Sequence, residues 1–579
     1  MTKSLSFAEK WKMVQAMEQR SGWRGSASVR VLRNYTLENL APLVRYEAAQ
    51  RGLNVEMGFS DFATFEQEIL DAGSVTNTGR HDIVLLSLWL DGLLPPGRSF
   101  DFSLDEVWCR VENLINELMR RVPGVIAVTN FLLPFFCLAG GRIEKHPEAF
   151  GVKLAALNAR LTAHAAGHNR VHVIDFHRLV ATVGHQSAFD ARFWYAYRAP
   201  LRNELINLLA SEVAEIALAL KFGAKKVLVL DCDNTLWGGI VGEEGLNGIQ
   251  LNPHDYPGVA FYDFHRQILQ LKRRGVILAL CSKNNTSDVQ AVFQENPHCL
   301  LRLSDFAASR INWDNKVSNI NSIALELNLG LDSFVFVDDS PVECDHVRSH
   351  LPEITVLQVP LKLFDLHGLL RDYRGFDSLG QSKEDDRRTE MYQMEVLRKQ
   401  SRDEHVDLQT FLKSLKLVAE FRRPTAADIG RIAQLTQKTS QFNLTTRRYT
   451  EGDIDGFLNS ADSLIITMKV NDRFGDYGLT GLVIATCDRY EAFIDTFLMS
   501  CRVLGRHLEF ALLGAIIAEV HRNFPSAALL RATYHPTQKN QQVADFYDRA
   551  GFIPEGGGRY SFDLAKAFTL EPAHVTHVR

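Results

Sequence analysis

Two aspartates one residue apart, Asp231 and Asp233, follow the apolar run Val227–Leu230 and precede Thr235, Trp237, Gly238 and Gly239. A short unbroken apolar run reads as a fully buried strand, and such a strand delivers the residues after it to the carboxyl edge of an α/β sheet, where ligands bind. The threonine and paired glycines after it suit a sharp turn. A pair of carboxylates placed this way has the parts for phosphoryl chemistry. One can attack phosphorus to form an aspartyl-phosphate, and the other can give a proton to the leaving oxygen and later take one from water.

Three further groups extend the set. The strand candidate VILALCSKNN ends in Ser282, Lys283 and two asparagines. Lys316 opens the helix pattern after RINWDN, and the apolar run FVFV ends in Asp338 and Asp339. Each alone also suits a solvated turn or a helix cap. In this order they resemble the four motifs of the haloacid dehalogenase-like superfamily. That resemblance implies Asp231 as nucleophile and magnesium ligand, and Asp233 as acid/base with a ligating backbone carbonyl. It implies Ser282 and Lys316 on the phosphoryl oxygens, and Asp338 and Asp339 on Mg2+, a hard cation suited to oxygen donors.

A second chemical stretch lies near the carboxyl end, where the strand EAFIDTFLMS runs into Cys501, Arg502, Val503, Leu504, Gly505 and Arg506 before a long apolar helix. An Arg-x-x-Gly loop opening a helix offers N–H groups to a phosphate. With NQQVADFYDRAGF downstream, the arrangement resembles the GNAT acyltransferase fold. The resemblance implies Arg502, Gly505, Arg506, Asn540 and Tyr547 around a phosphopantetheine arm. His507 replaces the small residue usual in that loop, which favours the single phosphate of such an arm over coenzyme A. Cys501, beside Arg502 and a helix start, is the candidate acyl-carrying thiol. Cys232 is the rival, but its anionic neighbours raise a thiol's pKa, and Cys281 reads as a buried packing residue.

The elements that must hold these groups form an α/β multidomain chain. We expect an N-terminal helix (1–28) and a doubly wound domain (29–220). A haloacid dehalogenase-like Rossmannoid domain (221–375), a charged helical linker (376–407) and a GNAT-like α+β domain (408–579) follow. The doubly wound domain resembles the SGNH hydrolase fold. Its post-strand loop reads Arg33, Asn34, Tyr35, Thr36 without a serine, and Asp190 is followed by Tyr195 and Tyr197 where a histidine would be wanted. His177 and His185 read as ordinary loop or surface histidines. The expectation is a non-catalytic scaffold.

Composition bounds the rest. The 579 residues are 46% hydrophobic and 23% charged with net charge −5, which gives no electrostatic support for a nucleic-acid partner. Eight scattered cysteines without CxxC spacing suit a reducing compartment. No apolar run is long enough to span a membrane, so a soluble, cytoplasmic protein is expected. Taken together, the central motifs with IAQLTQKTSQFNLTTRRY, DRFGDYG, FLMSCRVLGR and YHPTQKN resemble the FkbH-like glyceryl transferase/phosphatases over roughly residues 59–562. That family implies the substrate D-1,3-bisphosphoglycerate and removal of phosphate. It further implies an enzyme thioester and transfer of the glyceryl group to the phosphopantetheine thiol of an acyl carrier protein in polyketide-type biosynthesis. A magnesium phosphatase of a small metabolite and a non-catalytic carrier-binding scaffold are the alternatives.

Overall fold

The computed structural model describes residues 7–18, 22–94, 102–133, 135, 149–378, 408–488, 490–537, 539–570, 572 and 574–578. They form two compact units, one of residues 1–223 with 448–456, the other of 224–447 with 457–579. Most of the expected helical linker, residues 379–407, lies outside the described residues.

The first unit is built on a parallel sheet. Its strands are β1 (Gly25–Arg33), β2 (Leu53–Phe59), β3 (Ile83–Ser87), β4 (Val125–Thr129) and β5 (Val171–Ile174), in the order β2-β1-β3-β4-β5. Reversal of strand order beside β1 makes this a doubly wound sheet. The loop after β1 is closed by its own side chains. The Asn34 amide donates to the Trp89 carbonyl at 2.8 Å and accepts from its N–H at 2.6 Å, and the Tyr35 hydroxyl meets Ser87 Oγ at 2.7 Å. Asp190 pairs with Arg192 and Arg202, while His177 bonds the Phe131 carbonyl. The segment Arg448–Gly456, expected inside the last domain, packs in this unit, where the Thr450 hydroxyl donates to the Pro123 carbonyl at 2.5 Å.

The second unit contains two sheets. The first comprises β6 (Val227–Leu230), β7 (Ile277–Ser282), β8 (Phe306–Ile311), β9 (Phe334–Asp338) and β10 (Thr355–Gln358), all parallel in the order β10-β9-β6-β7-β8. Alternation explains why β6 is apolar throughout. Leu228 and Leu230 enter one apolar cluster with Trp237, Phe261 and Phe264, and Val227 and Val229 enter another with Ile320 and Ile323. A strand covered on both faces has no solvated side. β8 and β10 are edge strands that the apolar-run reading does not anticipate.

The other sheet is mixed. Its strands are β11 (Leu417–Arg422), β12 (Phe442–Asn443), β13 (Ser463–Asp472), β14 (Gly475–Cys487), β15 (Glu491–Met499), β16 (Leu529–Thr533), β17 (Ile553–Gly556), β18 (Arg559–Asp563) and β19 (Val575–Val578). The path runs β17-β18-β16-β15-β14-β13-β11-β19. β15 and β16 run parallel but pair only over Glu491–Phe493 with Leu529–Arg531, so they part beyond that point. The short β12 pairs with Leu498 and Met499 past the split. Among the described residues, no helix is long and apolar enough to cross a membrane.

Candidate functional site

The phosphoryl-type site forms where β6, β7 and β9 end. Asp231 follows β6 and its N–H bonds the Val337 carbonyl at 3.0 Å, so adjacent parallel strands set Asp231 beside Asp338. The helix Lys316–Leu327 begins here, capped by the Asn315 side chain accepting from the Val317 N–H. Lys316 Nζ donates to Asp231 Oδ1 at 2.8 Å and Asp338 Oδ2 at 2.5 Å. All three are buried. Burial acts to lower the Lys316 pKa, but the charges of Asp231 and Asp338 outweigh it and hold the ammonium protonated. Burial, then the Asp231 charge, pushes Asp338 up to about 7 and raises Asp339 as well.

Those upward shifts describe a carboxylate cluster with too little positive charge. Ligand oxygens of Asp231, Asp338 and Asp339 all lie within 4.8 Å of one another. One ammonium faces three closely spaced carboxyls, and the donor set is all oxygen, so the residues fit a hard divalent cation.

Asp233 is held separately. Its Oδ1 accepts from Trp237 Nε1 at 2.8 Å and the Val241 N–H at 3.2 Å, and its Oδ2 accepts from Asn284 Nδ2 at 2.8 Å. Burial is the larger effect and raises its pKa, against the donors that lower it. A carboxyl that keeps its proton more readily suits a general acid. The turn that makes this arrangement has Asn234 and Gly239 at positive φ, and the Gly239 N–H bonds Asn234 Oδ1 at 2.9 Å. A Cβ on Gly239 would lie 2.5 Å from the Glu244 carboxylate, so the position suits glycine alone. Beneath the turn, fully buried His265 bonds the Leu236 carbonyl through Nε2 at 2.8 Å. Ser282 ends β7, buried, and its hydroxyl acts to lower the Cys232 thiol's pKa against the larger, raising effect of burial. Asn284, Trp237 and His265 escape a reading by motif. Asn284 acts on a residue distant in sequence, His265 on a backbone carbonyl and Trp237 on Asp233 four residues away, and only the "NN" after Ser282 hinted at the first.

Burial pushes the thiols of Cys281 and Cys344 up to about 12, and burial with the Asp231 charge raises Cys232 well above its ordinary value.

The carboxyl-terminal candidates are placed differently from expectation. The Cys501 carbonyl accepts from Asn328 Nδ2 at 2.9 Å, and Cys501 packs against the apolar cluster containing Leu327 and Leu329. Asn328 caps the far end of the twelve-residue helix that Lys316 opens. At 1.5 Å per residue, about 18 Å of helix separates Lys316 from the Cys501 contact. The loop after β15 thus meets that helix at the end opposite Lys316.

The expected pantetheine set is also turned inward. Asn540 is fully buried and spends its amide within the fold, donating to the carbonyls of Asn443 and His535 at 2.9 Å and accepting from the Thr537 N–H at 2.7 Å. Tyr547 is buried with its hydroxyl unpartnered, and burial raises its pKa. Arg506 is buried over the Tyr477 ring and donates to the Arg502 carbonyl at 2.6 Å, while Arg502 Nε bonds Ser500 Oγ at 3.1 Å. Gly505 has φ 75°, as a loop entering a helix through a left-handed residue requires. The helix after it, Leu508–Asn523, buries Glu509 in its first turn, and burial raises the pKa of that carboxyl. Where β15 and β16 part, β12 fills β15's open edge, and the His535 N–H bonds the Leu444 carbonyl at 2.8 Å.

No family model matches the chain, and no curated protein matches it either. Among solved structures, the chain is similar to the N-terminal part of the protein BF1531 from Bacteroides fragilis, which contains a phosphatase domain and is complexed with Mg. The identity is 28% and the TM-score 0.59, over 65% of this chain and 100% of that one. It is also similar to the ribosomal-protein-S18-alanine N-acetyltransferase from Escherichia coli at 14% identity and TM-score 0.20, over 26% of this chain and 96% of that one. The PaiA N-acetyltransferase from Thermoplasma acidophilum in complex with coenzyme A matches at 16% identity and TM-score 0.18, over 25% and 96% of the two chains.

Proposed function

We propose that this chain is a magnesium-dependent phosphatase of the haloacid dehalogenase type that acts on an acyl phosphate, D-1,3-bisphosphoglycerate. It holds the glyceryl group as an enzyme thioester and passes it to the phosphopantetheine thiol of an acyl carrier protein. The observation that carries the phosphatase half is Lys316 bridging Asp231 and Asp338 inside one oxygen-donor cluster, with Asp233 held apart by Asn284 and Trp237. The Mg complex of the BF1531 part supports the same cation here.

Asp231 attacks the phosphorus of the 3-phosphomonoester as its bond to the 3-oxygen breaks, and Asp233 gives that oxygen its proton; the acyl carbon is attacked separately by a thiolate, with the 1-phosphate as leaving group. Asp233 then takes a proton from the water that attacks the aspartyl-phosphate, and inorganic phosphate leaves. Lys316 and Ser282 hold the phosphoryl oxygens. Mg2+, held by Asp231, Asp338, Asp339 and the Asp233 carbonyl, would neutralise charge developing on the transferring group.

The glyceryl-transfer half rests on the family resemblance and is tested by intact mass of a pantetheinylated carrier protein incubated with enzyme, Mg2+ and bisphosphoglycerate. A glyceryl adduct supports it. Phosphate release with an unmodified carrier leaves the plain magnesium phosphatase, the reading that the distance of Cys501 from Lys316 favours.

A further inference from the structure

We propose that Lys283 receives a second, non-reacting anionic group of the substrate, and that Glu343 is the partner this anion displaces. The inference rests on the phosphatase reading above and concerns which organic phosphates that site accepts.

Alternation along β7 sets the two sides of the loop that follows it. Ile277, Ala279 and Cys281 pack in one apolar cluster, and Leu278 and Leu280 in the other. The division persists past the strand. Asn284 turns to Asp233, while Lys283 turns to the helix Pro341–His350, where its Nζ donates to Glu343 Oε1 at 2.6 Å. Lys283 follows β7 and Glu343 follows β9, with β6 between them in the sheet, so the pair spans the strand end that carries Asp231. Burial dominates the Cys281 thiol, and the charges of Lys316, Asp231, Asp338 and Glu343 act on it together, which sets Glu343 in the electrostatic neighbourhood of the phosphoryl site.

The fold does not need this pair. Ser340, Pro341, Val342 and Glu343 have the spacing of a capping box, in which the glutamate reaches back to the N-cap N–H. The Ser340 side chain does accept from the Glu343 N–H, but the Ser340 N–H goes to Asp338 Oδ1 at 2.9 Å and the Glu343 carboxylate goes to Lys283. A carboxylate in a first turn is favoured by the helix end whether or not a lysine meets it. Lys283 is 37% exposed and Glu343 19%, and ion pairs open to water contribute little to stability. Among the described residues, the other two N–H donors of the Lys283 ammonium have no partner.

Charge decides what that ammonium takes. The carboxyls of Asp231, Asp338 and Asp339 face the Lys316 ammonium, and a divalent cation brings the set to neutrality, which leaves no positive charge for a second anion. Between the end of each strand of this sheet and the helix that follows it, the other lysines or arginines are Lys283 and Lys362. Lys362 follows the edge strand β10 and lies over the Phe364 ring. Lys283 directly follows Ser282, the hydroxyl assigned to the phosphoryl oxygens, so the remainder of a small organic phosphate seated there comes within reach of it. A lysine, a point charge on a flexible stem, can take a phosphate or a carboxylate.

The test compares three-carbon phosphomonoesters on the full chain with Mg2+. Bisphosphoglycerate and 3-phosphoglycerate carry a second anion, and glycerol 3-phosphate carries none. Lys283→Met should lower the ratio of kcat/KM for bisphosphoglycerate to that for glycerol 3-phosphate by about tenfold or more, as for one charge-assisted contact. Glu343→Gln should raise the same ratio by about threefold, the scale of an exposed ion pair. A structural bridge cannot give opposite signs, because losing either end of it affects all substrates alike. A shift confined to bisphosphoglycerate supports phosphate as the group held, and an equal shift for 3-phosphoglycerate supports either anion. The inference is overturned if Lys283→Met leaves the ratio unmoved, if both variants lower it, or if Lys362→Met moves it instead. Absence of Mg2+-dependent phosphate release from all three compounds by the unaltered chain refutes the phosphatase reading. Calorimetric titration of Asp231→Asn, with and without Lys283→Met, then decides the subsite by itself. The Kd for 3-phosphoglycerate should rise about tenfold with Lys283→Met, and an unchanged Kd, or binding by neither chain, overturns the inference.

Discussion

Lys316 and Asp231 meet at 2.8 Å with both side chains buried, and they come from elements 85 residues apart in sequence. The pair couples the charge balance of the site to its chemistry, because the same ammonium also holds Asp338.

Removing that ammonium should therefore have two effects. Lys316→Ala is expected to reduce Mg2+-dependent phosphate release by on the order of a hundredfold, the loss typical of one electrostatic donor to a transition state. It also leaves buried carboxylates facing one another, so the melting temperature without Mg2+ should fall and recover more on adding Mg2+ than in the unaltered protein. Phosphate assays and thermal melts with and without chelator check both.

Asp231→Asn keeps the side-chain shape and removes the proposed nucleophile. We expect no phosphate release above background from a protein with unaltered circular dichroism. Substantial turnover by the folded variant would reassign the nucleophile.

Asn284→Ala tests the positioning of Asp233. The lost amide is a donor to the carboxylate, so its removal raises the Asp233 pKa and frees its orientation. The pH–kcat profile should move its Asp233-dependent limb upward, with kcat lower by roughly tenfold. Asn284→Asp, which cannot donate when ionised, should not rescue it, whereas a merely structural role would leave the profile in place.

His265 makes stability pH-dependent. Burial holds its folded pKa at about 4 against an ordinary 6.5, with the bond to the Leu236 carbonyl acting the other way. The folded-state value is depressed, so the unfolded chain binds the proton first as pH falls. The contribution is complete above pH 6.5 and is lost on the way down to pH 4, to a total of roughly 3 kcal/mol. Denaturant melts of the protein and of His265→Gln at pH 7.5 and pH 5 should show the difference shrinking in the variant.

Cys501→Ala should leave phosphate release within about twofold, since a helix length of about 18 Å lies between that residue and Lys316. Mass analysis of the loaded carrier then decides whether Cys501 carries the acyl group at all. Normal loading by the variant removes it from the reaction.

Much of the phosphoryl site was legible in the chain because its signals are local and strong. A strand buried on both faces must be an unbroken apolar run, so Val227–Leu230 and Phe334–Val337 announced themselves, and the carboxylates follow where those runs stop. Lys316 was legible as a helix start in the right order. Packing alone decided the rest. β8 uses one side of a ladder and carries Ala307, Ala308, Ser309 and Arg310, so it lacks the apolar signature of the strands beside it. Asn284 reaches Asp233 across 51 residues, a contact no spacing encodes. Cys501 was placed by motif at the end of a strand, which is correct, but the strand's neighbour was set by Asn328 and by the Lys539–Asp332 pair at 2.6 Å. Likewise, β12 pairs with Leu498 and Met499 beside the strand split. Local sequence determines which residues end a strand or open a helix. Which of those ends face one another depends on how apolar faces are buried together, and that is settled by contacts between residues far apart in the chain.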